Sequence, residues 1–137
     1  MKFGVDVSHW QGIVNWDLAK ERGVEFVYLK GTDFTRITGV GFEDSKLRQN
    51  AKELERLNIP YGIYHWLQPH IDGFKQADFF LSVYHSLGCS LPPVVDFEDQ
   101  NFSDKNKYLY HLQQWLERVF ERSNKKPLVY TRKSFID

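Results

Sequence analysis

The sequence predicts an α/β fold in which about five parallel strands alternate with four to five helices. Three observations predict it. Strand-like and helix-like stretches alternate along the chain, with strand starts near residues 3, 25, 60, 93 and 127. The strand stretches are mostly apolar, as strands covered on both faces must be. Each of them also runs into ionisable or hydrogen-bonding residues at its carboxyl end, where βα proteins of every kind gather their chemistry. Two architectures satisfy this pattern: an open doubly wound sheet and a partial, TIM-like βα barrel, each with right-handed crossovers. The glycine fingerprint GxGxxG does not follow the first strand and there is no P-loop, which weighs against the nucleotide-binding form of the open sheet.

The elements follow in order. "FGVDVS", residues 3 to 8, alternates as a strand does. Asn15 is placed to cap a short helix that Gly23 ends. "EFVYLKG", 25 to 31, is β-branched and aromatic and reads as the second strand. "TDFTRITGVG" reads as a loop broken by Gly39 and Gly41. Residues 43 to 58 read as a helix carrying Leu47, Ala51, Leu54 and Leu57 on one side. "YGIYHWL" is the third strand. Asp72 caps a helix running to about Leu87, with Ala77, Phe80, Leu81 and Tyr84 inward and Gly88 as its stop. "PVVDFE" is the fourth strand. A helix from about Asp104 to Ser123 presents Leu109, Leu112, Leu116, Val119 and Phe120 as its apolar stripe, and Pro127 introduces a fifth strand, "LVYT".

Composition narrows the function. A length of 137 residues suits a single domain, 1–137, with its own core. Lys and Arg total 18, as do Asp and Glu, so the formal net charge is zero. That balance argues against a dedicated nucleic-acid binder and against attachment to anionic membranes by charge. No apolar run approaches the ~20 residues that span a bilayer. "MKFGVDVSHW" enters a strand without an apolar leader, so the expectation is no signal peptide and synthesis in the cytoplasm. One cysteine, Cys89, rules out an internal disulfide and reads as a small buried filler.

The strand ends concentrate the candidates. They are Asp6, Ser8 and His9; Lys30, Thr32 and Asp33; Tyr64, His65 and Trp66; Asp96, Glu98 and Asp99; and Tyr130, Thr131 and Arg132. Polar residues at one or two strand ends are simply the chain leaving the core, and they need no other account. Five strands polar at the same end, with Asp6, Lys30, Asp96 and Glu98 directly after apolar residues, favour a shared site. Asp96 and Glu98 share a face because strand side chains alternate, and their Cα atoms lie ~6.5 to 7 Å apart at a rise of ~3.3 Å per residue. Two carboxylates this close push one pKa up, so one holds a proton while the other stays ionised. Glycoside hydrolysis uses that division of labour. The bland alternative is a solvated strand-end pair, or one neutralised by Lys30 or Arg132.

Other chemistries fit less well. His9, His65 and Glu98 offer metal-ligand atoms without HxH or HExxH spacing, so no metal is assigned. Ser8 lacks the GxSxG elbow of a serine hydrolase. His70, His85 and His111 fall in loops or helices and read as surface or edge residues. Trp10, Tyr64 and Trp66 serve either as core or as sugar platforms, whereas Trp115 sits at core spacing on its helix.

"GVDVSHWQGIVNWDLAKERGVEFVYLKGTD", "IPYGIYHW", "PPVVDFED" and "KPLVYT", in that order over nearly the whole chain, resemble glycoside hydrolase family 25, the Chalaropsis-type lysozymes. The resemblance implies the partial βα barrel rather than the open sheet. It implies a β-1,4-N-acetylmuramidase that cuts peptidoglycan between N-acetylmuramic acid and N-acetylglucosamine, with no cofactor. By the same resemblance Glu98 is the general acid. Asp96 is the partner carboxylate that stabilises the cationic sugar or orients its acetamido group, and Asp6 is the first-strand aspartate that assists. Tyr64, Trp66, Lys30, Tyr130 and His9 would contact substrate. The chain departs from the family pattern in two places. It reads Asp33-Phe34 where the family has Glu-Gly, and it stops at "SFID", before the family's last strands and its fourth active-site aspartate. The second departure leaves three explanations: the chain is a fragment of a longer enzyme, a homo-oligomer or a second chain completes the barrel, or the five-stranded unit closes on itself as a flattened sheet; association is the favoured expectation. Synthesis without a leader and action at the bacterial cell wall would suit an endolysin. The competing reading is a non-catalytic glycan-binding or structural remnant of the same fold. A metal-dependent phosphodiesterase is a weaker third.

Overall fold

The computed structural model describes residues 1–136, so Asp137, the last residue of the expected domain, lies outside the described residues. The chain runs β1 (Gly4–Val7), a 3-10 turn (His9–Gln11), α1 (Trp16–Glu21), β2 (Phe26–Phe34), β3 (Gly41–Glu43), α2 (Leu47–Arg56), β4 (Tyr61–Trp66), α3 (Gly73–Tyr84), β5 (Val94–Phe97), α4 (Lys105–Ser123), β6 (Leu128–Thr131) and α5 (Lys133–Ile136). Five strands are parallel in the order β1-β2-β4-β5-β6, and β3 adds to β2 antiparallel. They form a half-barrel. Among the described residues no hydrogen-bonded ladder joins β1 to β6, and both remain rim strands.

Register divides the side chains between two faces. Asp6 pairs with Tyr28, Lys30 with Tyr64, Tyr64 with Val94, and Trp66 with Asp96, which pairs in turn with Tyr130. These residues face the concave side. Val27, Leu29, Ile63, Val95 and Phe97 alternate with them and join one buried cluster with Leu47, Ala51, Leu54, Ala77, Phe80, Trp115 and Val119 of the helices. Each such Val, Leu, Ile or Phe side chain taken fully out of water contributes roughly 1.5 to 3 kcal/mol, which is what holds the helices to the sheet. Asn15 and Asp72 cap their helices through side-chain oxygens, as expected; Asp104 does the same for α4, and left-handed Asn124 ends it.

Four expectations need correction. The stretch 32–41 is not simply a loop. β2 continues through Phe34, and Thr32, Asp33 and Phe34 pair with Glu43, Phe42 and Gly41, so only the tip of this hairpin is irregular. The helix expected from residue 43 starts at Leu47, because Glu43 belongs to β3. On α4 the buried stripe is Tyr108, His111, Gln114, Trp115 and Val119, while Leu109 and Phe120 are exposed. The helix is turned toward α3 by polar contacts: Gln114 Oε1 accepts from Gly73 N–H at 2.9 Å and lies 3.1 Å from His111 Nδ1. His111 is therefore a buried interhelical residue and not a surface one. Cys89 is half-buried against the core, and burial pushes its thiol up to about 12.

Candidate active site

The concave face encloses an open cavity of about 450 Å³ lined by Asp6, Tyr28, Tyr64, Trp66, Val94, Asp96, Glu98, Leu128, Val129 and Tyr130. The strands thus bring Asp6, Tyr64, Trp66, Asp96, Glu98 and Tyr130 to one groove. Asp6 and Tyr130 stand on the two rim strands and are exposed, whereas Asp96 is buried on β5. The proline-led run 92–97 puts Asp96 there. It enters as a central strand, and central strands take alternate residues out of water on both sides.

Asp96 is the perturbed carboxyl of the groove. Burial raises it most, the neighbouring Glu98 adds its charge and direct contact, and Asp6 adds charge from β1. Lys30 pulls the other way, and the net effect carries Asp96 from 3.8 up to about 8. Its Oδ1 is buried with no hydrogen-bond partner. The pair therefore holds a proton at neutral pH. Glu98 lies beside a different cation, with Arg132 Nε 3.8 Å from its Oε2. Tyr64 sits among these acids; burial first, then the charges of Asp6, Asp96, Asp44 and Glu98, raise its phenol.

Lys30 does not line the cavity, though it is near enough for its charge to act on Asp96, and it is not free. Its Nζ donates to Asp33 Oδ2 at 3.1 Å and lies 5.9 Å from the centre of the Trp66 ring. Asp33 is held in turn by Phe34 N–H at 2.7 Å and by Gln68 Nε2 at 3.0 Å. The arrangement depends on an irregularity at Gly31. There β2 and β4 shift register, so that Lys30 pairs with Tyr64 and Thr32 with His65. A Cβ on Gly31 would fall 2.8 Å from Ile63 Cδ1. The shift turns Thr32 toward the helices and leaves Asp33 beside Lys30.

Trp66 is fixed at its polar edge. Its Nε1–H donates to Asp99 Oδ2 at 3.0 Å, and Arg36 from the hairpin tip donates to the same oxygen at 3.1 Å. Burial alone would raise Asp99, but hydrogen bonds from Trp66 and Asn101 and the charge of Arg36 outweigh it and hold the carboxyl below its usual range.

Lys30, His65 and His9 are among the strand-end residues that stand outside the cavity lining. His65 alternates with Tyr64 and Trp66 and faces the helices, where it stacks on Trp115. Thr32 Oγ1 lies 2.7 Å from its Nδ1, and Gln76 Oε1 lies 2.8 Å from its Nε2. Gln76 Nε2 donates to the carbonyls of Gln68 and Ile71, which fixes that amide's oxygen toward the imidazole. Nε2 is thus the protonated nitrogen and Nδ1 accepts from Thr32. Burial lowers His65 to about 4. Facing away from Glu98, it shares no metal site with that residue. His9 sits on the turn after β1, its Nδ1 2.6 Å from Asp44 Oδ1. Sequence reasoning passed over Tyr28, Val94 and Leu128, yet register would have found them, since each pairs with a residue of the groove face.

The comparisons agree with this geometry. A sequence profile described as glycosyl hydrolases family 25 matches residues 5–137. Lysozyme M1 of Streptomyces globisporus is 35% identical over 99 residues, covering 69% of this chain and 32% of that protein. The N,O-diacetylmuramidase of Chalaropsis sp. is 31% identical over 101 residues, 71% of this chain and 47% of that one. The Clostridium perfringens spore cortex lytic enzyme SleM superposes with a TM-score of 0.84 at 28% identity, over 98% of this chain and 45% of that chain. The chain spans about a third to a half of the length of these relatives. On profile, fold and groove alike, the chain belongs to glycosyl hydrolase family 25.

Proposed function

We propose that the chain carries the groove of a muramidase, hydrolysing the β-1,4 bond between N-acetylmuramic acid and N-acetylglucosamine in peptidoglycan at the bacterial cell wall. One observation carries this reading. A buried carboxyl raised to about 8 touches a second carboxyl on the floor of a groove that also presents Tyr64 and Trp66. The pair supplies the proton that the leaving oxygen needs, and the carboxylate left behind stabilises the oxocarbenium-like sugar. Glu98 is the proposed donor, Asp96 its proton-sharing partner, and Asp6 a further acceptor on the opposite rim. Tyr64, Trp66 and Tyr130 are proposed to line the sugar sites. Lys30, tied to Asp33, acts on the groove through its charge, and His9 lies beyond Asp6. No metal or organic cofactor takes part in this reading.

The high affinity of Asp96 for a proton favours a second assignment, in which Asp96 is the donor. Substrates with an activated aryl leaving group separate the two. Such a group leaves without protonation, so activity returns in the variant that lacks the acid and stays low in the variant that lacks its partner. Recovery in E98Q supports the first assignment, and recovery in D96N the second.

The rim positions of Asp6 and Tyr130 favour a further reading, binding without turnover. A second copy or another chain lying along β1 or β6 would then complete the groove. Released reducing ends from purified peptidoglycan, measured beside cosedimentation with it and the oligomeric state, test this. Cosedimentation with no reducing ends from any oligomer overturns the muramidase reading.

A further inference from the structure

Beyond the cavity, the turn after β1 holds an aromatic pair that the proposed chemistry does not use. Trp10 is 81% exposed, an unusual position for the largest apolar side chain. It is nevertheless placed. Its ring centroid lies 4.8 Å from that of His9, and the turn that carries both is locked by reciprocal capping between Ser8 and Gln11. His9 is held twice by one buried carboxylate, through its backbone N–H at 3.3 Å and its Nδ1 at 2.6 Å from Asp44 Oδ1. Asp44 is anchored by its own N–H to Gly31 O and by accepting Lys46 N–H.

A donor on Nδ1 toward Asp44 leaves Nε2 as the outward polar atom of the pair. Flat indole beside an oriented imidazole nitrogen is what a pyranose asks for: a face for its C–H surface and a hydrogen-bond partner for a hydroxyl or acetamido group. Neither residue lines the cavity, and nearness to the groove points to the occupant. His9 and Trp10 follow Asp6 by three and four residues, and Asp44 is close enough to influence Tyr64 through its charge.

We propose that Trp10 and His9, positioned by Asp44, form an outer sugar-binding subsite that takes the continuation of a glycan strand past the catalytic groove. The proposal rests on the muramidase reading for the identity of the sugar, and its test does not require turnover. Peptidoglycan-derived oligosaccharides of two, four and six sugars are titrated into the E98Q protein and into the same protein carrying W10A, W10F or H9F, with affinity read by calorimetry.

The expected result is an affinity that rises with length in E98Q. W10A loses that rise, by up to about tenfold for the longest oligomer, with little change for the disaccharide. W10F keeps most of it because a flat face remains. H9F, which retains an aromatic support without either ring nitrogen, loses the polar part together with the side-chain bond to Asp44. Equal affinities for all lengths in W10A and its parent overturn the subsite. So does a Trp10 fluorescence change that follows protein concentration instead of sugar, which would assign the face to a second copy. Failure of the native protein to release reducing ends, with the length dependence intact, counts against the muramidase reading and leaves the subsite standing.

Discussion

Asp96 and His65 lie on adjacent strands and face opposite sides of the same sheet, and burial drives their proton affinities in opposite directions. Asp96 rises to about 8 toward the groove, and His65 falls to about 4 toward the helices. Each couples folding to pH. Native Asp96 keeps its proton from pH 3.8 to about 8 while the unfolded chain has lost it, so its contribution to stability falls as pH rises through that window. Native His65 stays neutral from pH 6.5 down to about 4 while the unfolded chain gains a proton, so its contribution falls as pH drops through that window. Between about 4 and 6.5 the two slopes oppose each other. D96N is expected to unmask a stability that rises with pH there, and to exceed the parent by a margin that widens up to pH 8. Urea melts at half-unit pH steps read both effects; a margin that shrinks toward pH 8 contradicts the burial account of Asp96.

The same substitution should cost activity. D96N and E98Q are each expected to lower kcat on peptidoglycan by about 10² to 10⁴-fold, the range for losing a positioned acid or its partner. D96N should at the same time melt higher than its parent at pH 8. Retained kcat in either variant removes that residue from the reaction.

Lys30 offers a separate handle on the pair. K30M keeps an unbranched side chain of similar length and removes the charge that opposes the rise of Asp96. The alkaline limb of the pH–rate profile is expected to move up, by about one unit. Asp33, half-buried and left without its cation, should make the variant less stable by about 1 to 3 kcal/mol. An unmoved alkaline limb would show that Lys30 does not act on the pair.

The helix layer can be tested without touching the groove. T32V leaves His65 Nδ1 buried with no donor and is expected to cost about 1 to 3 kcal/mol. Equal stability of T32V and parent at pH 7 would dismiss the tautomer deduced from Gln76.

Gly73 marks the tightest crossing of α3 and α4. A Cβ there would stand 2.1 Å from the carbonyl oxygen of His111. G73A should lower stability by about 1 to 3 kcal/mol or more, with kcat unchanged under conditions where the protein remains folded. Unaltered stability would mean that the helices separate without cost.

Much of this was legible in the residues. Strand order, helix caps and the shared face of Asp96 and Glu98 follow from alternation and capping chemistry, which are local. His65 shows where the reading ran short. A polar residue at a strand end looks the same whether it faces a groove or a helix, and only strict alternation with Tyr64 and Trp66 separates the cases. At Gly31 even alternation misleads, because the extra residue breaks the period. Counting in twos from Lys30 would put Thr32 in the groove and Asp33 among the helices. The hairpin to β3 was hidden for a related reason: three residues of pairing carry too little pattern to rise above their glycines. The stripe on α4 went astray because Gln114 and His111, polar by composition, are the residues that dock it.

Asp6 and Tyr130 ride on the two outermost strands, and among the described residues no ladder ties those strands together. The span between them is set by the twist that accumulates from strand to strand across β1, β2, β4, β5 and β6. A ligand that touches both banks therefore meets groups whose separation is written into the backbone twist of the whole sheet.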